Sequence, residues 1–175
     1  MLLEELEKRI AKLEAVEQIK RLKSRYVQLT DSGYPLEDVA QLWTRDGSWA
    51  GIFTDVDDRW PDARGCGRFT GHEEIKEFFR LTSDKYLWVH HLVIAPDIDV
   101  SDDLKTAKGT WFWLMPCTRL VGDVPTAMWL GGTYTDEYRH EDGVWKFYSV
   151  RADQKIMATH EKGWVPDRYI AEAPV

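Results

Sequence analysis

The sequence predicts an α+β domain in which three N-terminal helices pack on one face of a curved, mainly antiparallel sheet. Three observations lead there. Apolar residues recur with a helical three-four spacing over the first eighty or so positions. From Leu87 onward that period gives way to runs of β-branched and aromatic residues. Asp102-Asp103 and Asp142-Gly143 then stand between such runs as hairpin turns. A sheet of this kind curls around its helices as a cone, and the open end of a cone is a natural ligand cavity.

One domain is the right scale. The chain has 175 residues, of which 43% are hydrophobic and 30% charged, which excludes a disordered or fibrous polymer. The formal charge of −7 repels phosphate backbones and anionic lipid heads, so neither nucleic acid nor a membrane surface is an expected partner. Nine Trp, seven Tyr and six Phe exceed what a core of this size needs, and point to an aromatic-lined pocket. Cys66 and Cys117 make neither a disulfide scaffold nor a zinc site. With no apolar run of membrane length, and with Glu4, Glu5 and Glu7 interrupting the start, a cytoplasmic protein without a secretory leader is expected.

The first element is a helix over residues 2–30. Leu3, Leu6, Ile10 and Leu13 open an apolar stripe that Val16, Ile19, Leu22, Tyr26 and Leu29 continue. Up to Glu14 every other face is charged, so residues 1–14 read as an extension whose narrow seam suits a partner chain. Asp31-Ser32-Gly33 stops the helix, with Gly33 free to turn left-handed. A second helix is expected from Pro35 to Trp43 and a third from Glu73 to Leu81, with a strand over Ser48–Phe53 and a polar loop over 54–65 between them. The remaining strands are expected at Leu87–Ile94, Ile98–Val100, Thr106–Met115, Thr126–His140 and Val144–Arg151. The main domain is thus placed at residues 15–152, and residues 153–175 form a tail that wraps back over it.

No phosphate-cradling glycine motif, serine elbow or helical pair of metal-spaced histidines is present. The informative residues are ionisable groups at apolar positions. Tyr26 and Asp31 end the first helix, displaced from each other by about 140° if the helix persists. His90 and His91 lie in an apolar strand, and alternation lets only one of them face a cavity unless a bulge intervenes. Arg151 follows Trp145, Phe147 and Ser149 on one face, either at a rim or as an anion clamp. Each also has a bland reading, as a turn residue, a hydrogen-bonded core histidine or a solvated charge.

Four segments together carry a resemblance: Ile19–Asp31 (IKRLKSRYVQLTD), Gly71–Phe79 (GHEEIKEFF), His91–Val100 (HLVIAPDIDV) and Gly131–Arg151 (GGTYTDEYRHEDGVWKFYSVR). In order and spacing they resemble the SnoaL-like branch of the NTF2-like superfamily, whose fold is a cone-shaped α+β barrel. The resemblance is strongest to cofactor-free lyases such as bile-acid 7α-dehydratase, scytalone dehydratase and hexachlorocyclohexane dehydrochlorinase. It implies that Asp31 and His91 form a catalytic dyad inside the cone. By the same resemblance Tyr26 matches the Tyr or Lys one turn before the Asp, and Arg151 the Arg closing the last strand. Where the bile-acid enzyme has a further Asp, this chain reads Trp111-Phe112-Trp113-Leu114-Met115, which speaks against a steroid and for a flat, ring-shaped guest.

The function expected on these grounds is a cofactor-independent lyase. It would release water, or formaldehyde by retro-aldol cleavage, from a hydrophobic ring compound, with an aromatic one expected, and with no metal. Tyr26, Asp31, His91 and Arg151 would act on it, and Trp49, Phe53, Phe79, Trp111 and Trp113 would line its pocket. Of the Trp111–Trp113 and Phe112–Leu114 parities the Trp pair is expected inward, because flat rings suit a ring-shaped guest; the alternative makes these Trp the outer, subunit-facing surface. An isomerase or cyclase on a similar substrate, or a non-catalytic binding or assembly module, remains the alternative. A homo-oligomer is expected, a trimer by resemblance.

Overall fold

The computed structural model describes residues 2–53 and 67–165, without the side chains of Ile52 and Phe53. The predicted loop 54–65, Cys66, the Phe53 side chain and the end of the tail therefore lie outside the described residues. The architecture is the cone-shaped α+β arrangement that the patterning predicts. Helices α1 (Leu2–Asp31), α2 (Leu36–Ala40) and α3 (Gly71–Lys85) pack on one curved sheet. Its strands are β1 (Trp43–Phe53), β2 (Gly67–Thr70), β3 (Tyr86–Val89), β4 (Leu92–Val100), β5 (Thr106–Val121), β6 (Val124–Glu141) and β7 (Val144–Thr159). The order is β2-β1-β7-β6-β5-β3, with β4 continuing beside β5, and every pair is antiparallel except β1 with β7.

Several boundaries differ from expectation, each for a local reason. Helix α2 ends at Ala40, because Trp43 is already drawn into the sheet opposite Phe147 and buried there. Helix α3 runs on to Lys85, with Thr82 buried on the face that Phe78 and Phe79 begin. Strands β5 and β6 extend to a further hairpin at Gly122-Asp123, so β5 reaches Val121 and not Met115. Strand β7 continues past Arg151 to Thr159, so the first seven residues of the expected tail belong to the sheet.

Curvature comes from bulges. Tyr148 is an extra residue in β7, between the pairs Tyr138–Phe147 and Glu137–Ser149. A second irregularity sits at Gly131/Gly132, where a Cβ on Gly132 would collide with the backbone carbonyl of Asp153; only glycine lets the strands approach so closely. The inner face of the cone is aromatic and apolar, built from Tyr26, Trp43, Trp49, Phe79, Trp111, Trp113, Tyr134, Tyr138 and Phe147. In α1 only the half after Glu14 joins this core. Leu3, Leu6, Ile10 and Leu13 are exposed on the single chain, as the narrow seam suggested. No helix among the described residues is long and apolar enough to cross a membrane.

Candidate active site

The strand predicted at Leu87–Ile94 is interrupted at its two histidines, although its register against β5 holds, from Val89–Cys117 to Leu92–Leu114. The interruption has a cause in the neighbouring strand. His90 donates its N–H to the carbonyl of Pro116 (3.1 Å), but Pro116 has no N–H to return. The next N–H, that of His91, points away from β5 by ordinary alternation, toward the end of α1. There it meets both carboxylate oxygens of Asp31, at 3.2 and 3.0 Å.

The same carboxylate receives the His91 ring, Nδ1 lying 2.5 Å from Oδ1. An ionised carboxylate can only accept, so Nδ1 carries the proton and Nε2 keeps its lone pair. Regular alternation turns His91 inward with Val89. Its side chain is 7% exposed and lines the cavity, whereas His90 faces outward and is 58% exposed. The His90 ring nevertheless approaches the second oxygen of Asp31, with Nδ1 3.3 Å from Oδ2.

The cavity at the mouth of the cone measures about 90 Å³. Around His91 it is walled by Tyr26, Tyr34, Trp49, Phe79, Trp113 and Tyr134. Trp49 stacks on Phe78 with ring centroids 3.8 Å apart, and Tyr34 stacks on Phe79 at 5.9 Å. The Trp113 indole N–H is buried with no hydrogen-bond partner among the described residues, a donor left for something in the cavity. Burial drives the Tyr26 phenol well above its ordinary pKa, with the carboxylates of Asp136 and Asp31 adding to the rise, so it remains a proton donor at neutral pH. Tyr34 and Tyr134 are raised in the same way, burial first.

Most of the residues singled out from sequence converge. Tyr26, Trp49, Phe79, His91 and Trp113 line one cavity, and Asp31 holds His91 from behind. In β5 the Trp pair faces inward, and Phe112 and Leu114 are on the outer surface. Trp111 lies inside but not in the cavity. Deeper in the cone, it donates its indole N–H to the Tyr138 hydroxyl (3.0 Å). Arg151 is not brought to the site at all. The bulge at Tyr148 shifts the parity of β7, so Val150 and Ala152 turn inward and Arg151 is exposed on the opposite face.

The chain matches the family model described as SnoaL-like domain over residues 11–151. It belongs to the SnoaL-like domain family. Solved structures agree on the fold of this SnoaL-like protein. It is 19% identical to LinA, with a TM-score of 0.73 over 96% of this chain and 99% of that one. It is likewise 19% identical to hexachlorocyclohexane dehydrochlorinase LinA-type3 from Novosphingobium barchaimii LL02, with a TM-score of 0.70 over 86% and 92% of the two chains. An NTF2-like protein with a cystatin-like fold from Novosphingobium aromaticivorans is 19% identical, with a TM-score of 0.60 over 91% of each chain. Among curated proteins none matches this sequence.

The sequence reading of this SnoaL-like domain missed a second polar cluster. Lys23 Nζ lies 2.8 Å from Asp136 Oδ2, and the Tyr138 hydroxyl donates to the same oxygen at 2.8 Å. The Lys23 ammonium also sits 3.7 Å over the ring of Tyr134, the residue that forms the cavity wall. Burial pulls the Lys23 pKa down and pushes the Asp136 pKa up, each partly offset by the other's charge. The signals were present: Lys23 stands four residues after Ile19 in the apolar stripe, and Asp136 between Tyr134 and Tyr138 on one strand face. A charge in line with core residues marks a buried pair once its partner is known, and only the fold supplies the partner.

Proposed function

We propose that this protein is a cofactor-independent lyase that eliminates a small group from a compact, hydrophobic, ring-containing substrate. The observation that carries the reading is the His91 imidazole, exposed to an aromatic cavity on one edge and tied through Nδ1 to Asp31 on the other. A neutral imidazole held in one tautomer takes a proton at Nε2, and the carboxylate behind it stabilises the imidazolium that forms. General base catalysis of this kind is worth about a hundred- to ten-thousandfold. The Tyr26 phenol, kept protonated by burial, is the donor for a leaving oxygen or a polarised carbonyl. Arg151 has no part in this scheme.

A cavity of about 90 Å³ lined by stacked rings suits a single ring better than a steroid. Loss of water is the expected reaction, with retro-aldol release of formaldehyde from an aromatic diol as its variant. The fold neighbour named as a hexachlorocyclohexane dehydrochlorinase supports elimination from a ring as the reaction type. The decisive experiment incubates metal-free protein with cyclic alcohols, aromatic diols and halogenated rings, and follows product mass. Loss of water, formaldehyde or hydrogen halide supports the lyase. An unchanged mass with a shifted double bond makes it an isomerase, and no turnover of any compound leaves a binding module.

The proposal extends to assembly as a homo-oligomer, a trimer by resemblance. Its support is an apolar outer surface where Leu92 pairs with Leu114 and Ile94 with Phe112, beside Leu87 and Trp88, all exposed on the single chain.

A further inference from the structure

His91 is not alone on its carboxylate. Asp31 ends α1 with its side chain 19% exposed, and its two oxygens are divided between two imidazoles. Oδ1 takes the Nδ1 of the enclosed His91 at 2.5 Å, and Oδ2 stands 3.3 Å from the Nδ1 of the exposed His90. The backbone N–H of His91 reaches both oxygens and fixes the carboxylate between the rings. The Asp31 charge is also felt by the buried phenols of Tyr26 and Tyr34, both protonated at neutral pH. His90 is further ordered by Trp88, whose ring lies nearly parallel to it with centroids 6.4 Å apart.

We propose that His90 is a positioning residue that tunes the proton affinity of His91 by competing for the charge of Asp31. This rests on the reading of His91 as the base. One carboxylate carries one negative charge, and two imidazolium rings against it repel each other. The first proton therefore goes to the ring whose charge solvent also stabilises, the exposed His90. Once His90 is protonated, part of the Asp31 charge is spent on it, and His91 stays neutral to lower pH. A base must be neutral to act, so His90 widens the range over which His91 works. A lone Asp–His pair in an apolar cavity holds its imidazolium more tightly and loses the base earlier on acidification.

The test needs no substrate. The ring nitrogens of His91 are titrated by long-range proton–nitrogen NMR in the wild type and in two variants of opposite charge. His90→Gln removes the competing charge and raises the His91 midpoint by about 0.5–1 pH unit, a range reduced for the exposure of His90. His90→Lys holds a positive charge throughout and leaves the midpoint at or below that of the wild type. Opposite responses of this kind come from charge and not from altered packing, since both variants replace the same exposed ring. Unchanged midpoints, or midpoints that move in the same direction in both variants, overturn the proposal. Either result is read on the free protein, so it stands apart from whether a substrate is turned over.

Discussion

Lys23 and Asp136 face each other at 2.8 Å with 1% and 0% of their side chains exposed, at the bottom of the cone beneath Tyr134. Removal of one partner strands the other charge in an apolar environment, which costs about 3–5 kcal/mol. Lys23→Met and Asp136→Leu are each expected to lower the melting temperature by roughly 6–20 °C, on a scale of about 2–4 °C per kcal/mol. The double variant removes both charges and should recover much of the loss. Calorimetry on the three proteins checks this, and a double variant less stable than both single ones would refute it.

For the dyad, His91→Ala and Asp31→Asn should each reduce kcat on a confirmed substrate by about 10²- to 10⁴-fold while the far-ultraviolet spectrum is unchanged. Arg151→Ala, on the outer face of β7, should leave kcat within about twofold. Full activity in both dyad variants would remove His91 from the role of base.

The aromatic wall makes a graded prediction. Trp113→Phe keeps a ring in the cavity but withdraws the unpartnered indole N–H, and substrate affinity should fall about fivefold, near 1 kcal/mol. Trp113→Ala opens a void in the inner face and should destabilise the fold by about 3–5 kcal/mol. Michaelis constants and denaturant midpoints separate the two effects. An unaltered Michaelis constant in Trp113→Phe would mean that substrate takes no hydrogen bond from the indole.

The outer sheet face is tested with Ile94→Lys and Phe112→Lys, two exposed residues that pair across β4 and β5. The wild type is expected to sediment as a multimer of the 20.4 kDa chain, and the double variant as the monomer. A wild type that is monomeric at micromolar concentration would rule out the homo-oligomer.

The amino-terminal half of α1 is tied to the β4–β5 turn by Lys12 and Lys8, at 2.7 and 3.5 Å from Asp102. The Lys12 hydrogen bond and charge hold the Asp102 pKa below its ordinary 3.8. A lowered carboxylate pKa contributes stability above the unfolded value and loses it as pH falls through the folded value. Amide exchange over residues 2–14 should therefore accelerate as pH drops below about 4, after correction for the intrinsic rate, and also with salt at neutral pH. Asp102→Asn should show the fast exchange at every pH.

Helix α1 and the switch to strands were legible in the sequence, because each rests on local periodicity that chain geometry alone imposes; alternation put Trp111 and Trp113 on one face of their strand without saying which way it turns. The resemblance supplied Asp31 and His91 as a pair, sixty residues apart. What the sequence could not supply is where strands slip against one another. The extra residue at Tyr148 depends on pairing with β6, and that slip alone moves Arg151 from the inner face to the outer. Likewise the His91 N–H points away from β5 by ordinary alternation, and only the closed cone brings the end of α1 there to accept it at Asp31. Lys23 and Asp136, 113 positions apart, look like solvated charges until the cone closes and removes them from water. Periodicity is a property of one segment and is written in it; register, burial and partnership belong to pairs of segments, and tertiary structure decides them.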